Sequence, residues 1–261
     1  MLDLSISIVH FNSKNKLKSC LSSIYSQKTQ YNYRVWVVDN FSYESIREYI
    51  SEFSDTTFVF NKENVGYGRG NNQIINNVAA KYHLVLNPDV VMHEGCIERM
   101  LNFMENHTNV AILGPKMIYE DGTLQYSCRR FPTLATFLMR GLSPFLSFRP
   151  IEKYLMKDVS HAALIPVDWN LGSCLLIRKK VYDELGGFDE RYFMYYEDID
   201  LCYRAHRSGY EVVYFPDAVV THQYRRDSAK ITSVSLKLFH TASAIRFFWS
   251  HLAERRLKTF L

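Results

Sequence analysis

Five apolar, strand-like runs alternate with helical patterns through the first 115 residues, and this alternation constrains the chain more than anything else in it. The runs are Ser5–Phe11, Tyr33–Val38, Thr57–Asn61, His83–Leu86 and Val110–Leu113. Between them lie Lys16–Gln27, with Leu17, Leu21 and Ile24 at helical spacing, then Glu44–Phe53, Asn72–Ala80 and Cys96–Asn106. Repeated strand-helix units predict a mainly parallel sheet covered on both faces. The class is therefore α/β.

Open parallel sheets bind ligands beyond the carboxyl ends of their strands. Polar residues collect there: His10 and Asn12, then Asp39 and Asn40, then Asn64, then Asn87 and Asp89. One such end is ordinary turn chemistry; four in succession predict a nucleotide pocket, with Asp39 on the base or ribose. The first strand runs into His10-Phe11-Asn12-Ser13 instead of Gly-x-Gly-x-x-Gly, which excludes a Rossmann dinucleotide site, and there is no Walker loop. Gly66-Tyr67-Gly68-Arg69-Gly70 reads as a flexible loop. Asn87-Pro88-Asp89 is either a proline turn or a carboxylate holding a hard divalent cation, with His222 as a nitrogen ligand.

After Pro115 the alternation fails. Met117–Tyr119 and Thr123–Ser127 predict a hairpin about Glu120-Asp121-Gly122. Arg129–His161, broken by Pro132, Pro144 and Pro150, reads as a mobile excursion with short helices; Cys174–Ile177 and Val212–Phe215 return as strands, and Ser233–Leu252 is a terminal helix. Glu197, Asp198 and Asp200 follow an aromatic stretch and open a helical pattern. Asp198 falls at the expected N-cap, where the helix dipole favours a carboxylate, suited either to capping or to general-base work.

The basic residues are clustered. Arg129–Lys157 carries six Lys or Arg against one acid, and Arg225–Leu261 eight against two, within a net charge of +4. Such segments predict an anionic partner; no nucleic-acid motif accompanies them. Five scattered cysteines fit a reducing compartment and exclude a thiolate metal site. The absence of a secretory leader pattern and of an 18-residue apolar stretch predicts a cytoplasmic chain, or one peripheral on the cytosolic face of a membrane.

Taken in order, these motifs resemble those of the inverting family 2 glycosyltransferases of the GT-A fold, in particular the bacterial rhamnosyltransferase branch. The likeness runs through His10-Phe11-Asn12, Val37-Val38-Asp39-Asn40, Asn64-Val65-Gly66 to Asn72, Leu86-Asn87-Pro88-Asp89, Val167-Asp168-Trp169 with Gly172, Gly187-Phe188-Asp189, Glu197-Asp198-Ile199-Asp200 with Arg204, and His222. It implies a GT-A domain over 1–225, its nucleotide-sugar half being 1–115 and its acceptor half 116–225, followed by a basic, aromatic helical segment over 226–261. It implies that His10, Asn12, Asp39, Asn64, Gly66, Asn71, Asn87 and Asp89 bind the nucleotide sugar. Trp169, Gly172 and Glu197 would border the sugars, Asp89 and His222 would hold Mg²⁺ or Mn²⁺, and Asp198 would be the base. The donor implied is dTDP-L-rhamnose and the acceptor a lipid-linked sugar of O-antigen synthesis, met at the cytosolic face of the inner membrane. The same fold using another nucleotide sugar, or a binding module without turnover, are the alternatives. Asn87 stands where the family usually has the first Asp of Asp-x-Asp, which removes one negative charge from the metal site.

Overall fold

The computed structural model describes residues 1–142, 149–223 and 234–258. Pro144, Arg225, Arg226 and Phe260, and the side chains of Leu252, Arg255, Arg256, Leu257 and Lys258, lie outside what it describes.

In chain order the elements are β1 (Leu2–His10), α1 (Lys14–Tyr25), β2 (Tyr33–Asp39), α2 (Tyr49–Glu52), β3 (Thr56–Phe60), α3 (Tyr67–Ile75), β4 (Ala80–Leu86), β5 (Val90–Met92), α4 (Cys96–Asn106) and β6 (Val110–Ile118). There follow β7 (Leu124–Gln125), β8 (Cys128–Arg129), α5 (Leu134–Leu142), α6 (Arg149–Tyr154), β9 (Ile165–Pro166), β10 (Trp169–Asn170), β11 (Cys174–Arg178), α7 (Lys179–Glu184), α8 (Glu197–Arg207), β12 (Glu211–His222) and α9 (Val234–Lys258). The main sheet has the order β3-β2-β1-β4-β11-β6-β12-β5. The β3-β2-β1-β4 block is parallel, as is β6 with β12. Strand β11 runs antiparallel between β4 and β6, and β5 antiparallel on the outer edge of β12. The expected mainly parallel α/β sheet is thus present.

The apolar runs form the sheet because both its faces are covered. Ile6, Ile8, Val35, Val37, Leu84 and Leu86 pack with Leu17, Leu21 and Ile24 of α1 in one core cluster. Ile112, Leu175 and Ile177 pack with Ile199, Leu201 and Cys202 of α8 in another.

Several boundaries differ from the sequence reading. The glycine-rich segment is not a loop: α3 begins at Tyr67, five residues before the expected start, with Gly66 at φ +89° as its N-cap. A side chain at Gly66 would run into the Phe193 carbonyl, and one at Gly70 would meet Val9 at 3.0 Å. Glycine here lets the helix lie close against its neighbours, which outweighs its poor helix propensity of about 1 kcal/mol. Helix α2 is one turn. Strand β6 continues through Pro115, and β12 runs past the expected Val212–Phe215 to His222 across a register shift between Phe215 and Val219. The short strands β5, β8, β9 and β10 were not foreseen. The hairpin forms as β6–β7, with Met117 opposite Gln125.

Candidate active site

The carboxyl edge of the sheet brings most of the predicted residues to one rim. Because β11 is antiparallel, the segment entering it arrives at the same rim where β4 ends. The Asn87 amide donates to the Ser173 carbonyl at 2.8 Å, joining the Asn87-Pro88-Asp89 turn to Gly172-Ser173. The pairing of His222 with Val90 sets its imidazole beside Asp89.

At the nucleotide end, His10 and Asp39 are register partners on β1 and β2. The His10 ring is fully buried; Nδ1 lies 3.1 Å from Ser13 Oγ, and Nε2 has no partner. Burial holds its pKa below the usual value, against the pull of Asp39 and Glu44, so the ring is neutral. Asp39 Oδ1 accepts from the Ser42 amide at 3.2 Å, and Asn12, at φ 50°, accepts from the Tyr43 amide at 3.0 Å. These bonds shape a turn that exposes Phe41 and Tyr43 beside Asp39, with Phe11 also exposed. Asn64 accepts from Asn40 Nδ2 at 2.7 Å and from the Gly66 amide at 3.0 Å, so it shapes the entry to α3. Asn71 does not face the rim. It is fully buried, and its amide group is engaged by Ser7 and by the Tyr67 carbonyl.

The second corner holds Asp89. Its Oδ1 lies 3.3 Å from His222 Nε2 and its Oδ2 3.4 Å from Lys16 Nζ. Burial alone would raise this carboxyl, but the His222 contact and the Lys16 ammonium outweigh it and hold the pKa below the ordinary value. His222 Nδ1 pairs with Gln125 Oε1 at 3.0 Å. Gln125 orients the ring as an outer partner orients a metal-ligating histidine; with a cation bound, a proton on Nδ1 would leave Nε2 to ligate it. Asn87 Oδ1 is buried without a partner two residues away. No group of three or more His, Cys, Asp or Glu suited to a metal occurs among the described residues. One carboxylate, one imidazole and an unsatisfied amide oxygen nevertheless fit a cation whose remaining ligands are diphosphate oxygens and water.

The third corner holds Asp198, and here the sequence reading needs correction. The N-cap is Tyr196, at φ 70°, not Asp198, which sits inside the first turn of α8. Asp198 Oδ2 accepts from the Gly172 amide at 2.8 Å, and Oδ1 from the Ile199 amide at 2.8 Å. A Cβ on Gly172 would stand 3.2 Å from Asp198 Oδ2, so glycine permits this approach. Burial pushes the Asp198 carboxyl up; the two amides and Arg129 pull against it without cancelling it. Glu197 is buried with Oε2 unpartnered, and burial plus the neighbouring Asp198 raise its pKa strongly. Asp200 is occupied structurally: Oδ2 accepts from Arg204 Nε at 2.7 Å, and the same guanidinium donates to the Leu185 and Gly187 carbonyls. Of the three acids, Asp198 is therefore the one held on the rim by a backbone amide of the opposite segment.

Trp169 is only 3% exposed, with Nε1 donating to the Arg130 carbonyl at 2.8 Å and the Arg129 guanidinium 5.2 Å over its ring. It supports Arg129 from beneath. Arg129, Tyr67, Lys16 and Gln125 are site residues the sequence reading did not single out. Tyr67 donates to the Gly172 carbonyl at 2.7 Å, fixing the peptide whose amide holds Asp198. Only Arg129 had a sequence signal, its place in a basic, aromatic stretch.

Comparison with known proteins agrees with this architecture. The family described as Glycosyl transferase family 2 matches residues 5–186. An N-acetylglucosaminyl-diphospho-decaprenol L-rhamnosyltransferase of Mycobacterium tuberculosis is 32% identical over 70% of this chain, which spans 63% of that relative's length. The rhamnosyltransferase WbbL of Escherichia coli is 25% identical over 97% of this chain and 93% of its own. Among solved structures, GalNAc-T7 with UDP, GalNAc and Mn²⁺ superposes with a TM-score of 0.69 at 16% identity, covering 90% of this chain and 46% of that one. The mannosyltransferase PcManGT of Pyrobaculum calidifontis, with GDP-Man and Mn²⁺, gives 0.63 at 16%, covering 94% and 64%. The fold is that of the GT-A glycosyltransferases. The chain belongs to glycosyl transferase family 2.

Proposed function

We propose that this protein transfers L-rhamnose from dTDP-L-rhamnose, with inversion, to a sugar carried on undecaprenyl diphosphate during bacterial O-antigen synthesis. The observation that carries the reading is Asp198, a buried carboxylate of raised pKa held 2.8 Å from the Gly172 amide, on the rim that also bears the Asp89–His222 pair. The names of the M. tuberculosis and E. coli relatives support the sugar and the lipid-linked acceptor. Asp39, His10 and Asn12 bind the nucleoside, with Asn64 and Gly66 shaping the turn beside it and Asn87 facing the diphosphate. Asp89 and His222 hold Mg²⁺ or Mn²⁺, which supplies positive charge to the departing diphosphate. Asp198 takes the proton from the attacking acceptor hydroxyl; a carboxyl whose pKa is raised above its ordinary value is a stronger base than a free one. Glu197, kept protonated by burial, donates to a sugar oxygen. A donor screen with undecaprenyl-diphosphate-N-acetylglucosamine tests the reading by nucleoside diphosphate release: dTDP-L-rhamnose should be the donor consumed. Release from a different donor reassigns the sugar, and release from none leaves a binding module.

The acceptor also favours a place on the cytosolic membrane surface. No described helix is long and apolar enough to cross a bilayer. Helix α9 instead turns Leu238, Ile245 and Trp249 outward, 64%, 61% and 79% exposed, with Lys237 and Arg246 also exposed. Exposed aromatic and aliphatic side chains bordered by cations suit the headgroup boundary. Flotation with anionic liposomes tests this; intact protein that stays at the bottom at low salt refutes it.

A further inference from the structure

We propose that helix α9 is a positioning element for the base: through His240, Ser243 and Phe247 it holds the segment before α8 in the turn that aims Asp198 at Gly172. The inference rests on Asp198 as the base, and it concerns a part of the chain beyond the residues 5–186 that match the family.

The segment needs holding. Tyr195 and Tyr196 are consecutive, bulky and both left-handed, at φ 68° and 70°, a conformation that such residues leave unless their surroundings fix it. The turn ends directly in α8, where the Asp200 amide donates to the Tyr196 carbonyl at 2.8 Å. A rotation at Tyr196 therefore moves Asp198, two residues on.

Two surroundings fix it. On the α3 side, the Tyr67 amide donates to the Phe193 carbonyl at 3.0 Å. On the other side stands α9. Ser243 Oγ donates to the Met194 carbonyl at 2.9 Å. The His240 ring meets both tyrosine rings edge-on, each at 5.4 Å between centroids. Phe247 lies 5.5 Å from Tyr196. Positions 240, 243 and 247 recur at helical spacing, so one face of α9 reads the whole turn. The contacts described here all fall on residues 194–196, so their effect runs through the backbone of the turn.

The test compares His240→Ala/Ser243→Ala with His240→Phe in the full-length protein. Hydrogen exchange of residues 191–200 should quicken in the double variant, and kcat with dTDP-L-rhamnose and undecaprenyl-diphosphate-N-acetylglucosamine should fall about 10–100-fold, as misplacement of a catalytic group does. Donor KM should stay within about twofold, since the nucleotide end is untouched. His240→Phe, which keeps a ring against both tyrosines, should restore exchange and kcat. Unchanged exchange and kcat in the double variant would overturn the proposal. So would a fall in kcat matched by a rise in donor KM that phenylalanine does not repair, because that is general loss of packing. Asp198→Asn measured alongside separates the two readings. If it keeps turnover, the base assignment fails, while the exchange data still decide whether α9 holds the turn.

Discussion

Asp89 and Asp198 stand on the same rim of one sheet and are tuned in opposite directions. Asp89 has Lys16 at 3.4 Å and His222 at 3.3 Å, and its carboxyl is held down. Asp198 has no cation within ion-pairing distance among the described contacts, only two amides and a more remote Arg129, and burial pushes its carboxyl up. An acid that must stay ionised to hold a cation and an acid that must accept a proton need different environments. The difference teaches that charge neighbours build the first and desolvation builds the second.

The largest effect separates the corners at once. EDTA should take turnover to background, with Mg²⁺ or Mn²⁺ restoring it; full activity of metal-free enzyme in EDTA would remove the metal role from Asp89. Next, Asp198→Asn should lower kcat by about 10²–10⁴-fold while calorimetry still finds the donor bound. In the wild type, kcat/KM should rise with pH through the raised pKa of Asp198, so its acid limb lies above the ordinary carboxylate value of about 3.9. Asp89, shifted down, is already ionised there and contributes no limb; a limb that survives Asp198→Asn assigns it elsewhere. A subtler change, Gln125→Leu, frees the His222 tautomer and should weaken metal affinity by about 10–100-fold, read by metal titration, without altering the acid limb. The smallest effect is on stability. Glu197 has a folded pKa above its unfolded one, so the cost of its burial grows as pH rises from the unfolded value toward the folded one. Melting curves should therefore show Glu197→Gln gaining on the wild type as pH rises above the ordinary glutamate value of about 4.3, at about 2–4 °C per kcal/mol. A gap that closes with rising pH would mean the carboxylate is stabilised where it sits.

The strand ends on the rim were legible because their residues follow the apolar runs directly: the end of a run marks where His10, Asp39 and Asp89 must lie. The base corner was legible in composition but not in geometry. The antiparallel β11 has the same apolar content as its parallel neighbours, so nothing in Cys174–Arg178 announces that Gly172 meets Asp198. Tyrosine carries no signal for positive φ, and Asp198 was expected at the N-cap, two positions from where it sits in the helix, because Asp is the commoner cap. That Asn71 and Trp169 are buried could not be read from their places beside motifs, because burial depends on packing partners far along the chain. Gly68 and Gly70 argued for a loop by propensity, and tertiary contact with Phe188 and Val9 overrode it.

The strand order also has a consequence for how the molecule is made. Strand β4 pairs on one side with β1 but on the other with β11, and β6 lies between β11 and β12. A ribosome that has delivered the first half of the chain has thus delivered a four-stranded sheet with the apolar edge of β4 open, and a β6 without its main neighbours. Such edges invite pairing with other chains. The Asp89–His222 pair cannot form until residue 222 has emerged. Synthesis of this protein should accordingly lean on chaperones until its last strand is threaded, and fragments ending before β11 should aggregate rather than survive as small nucleotide-binding domains.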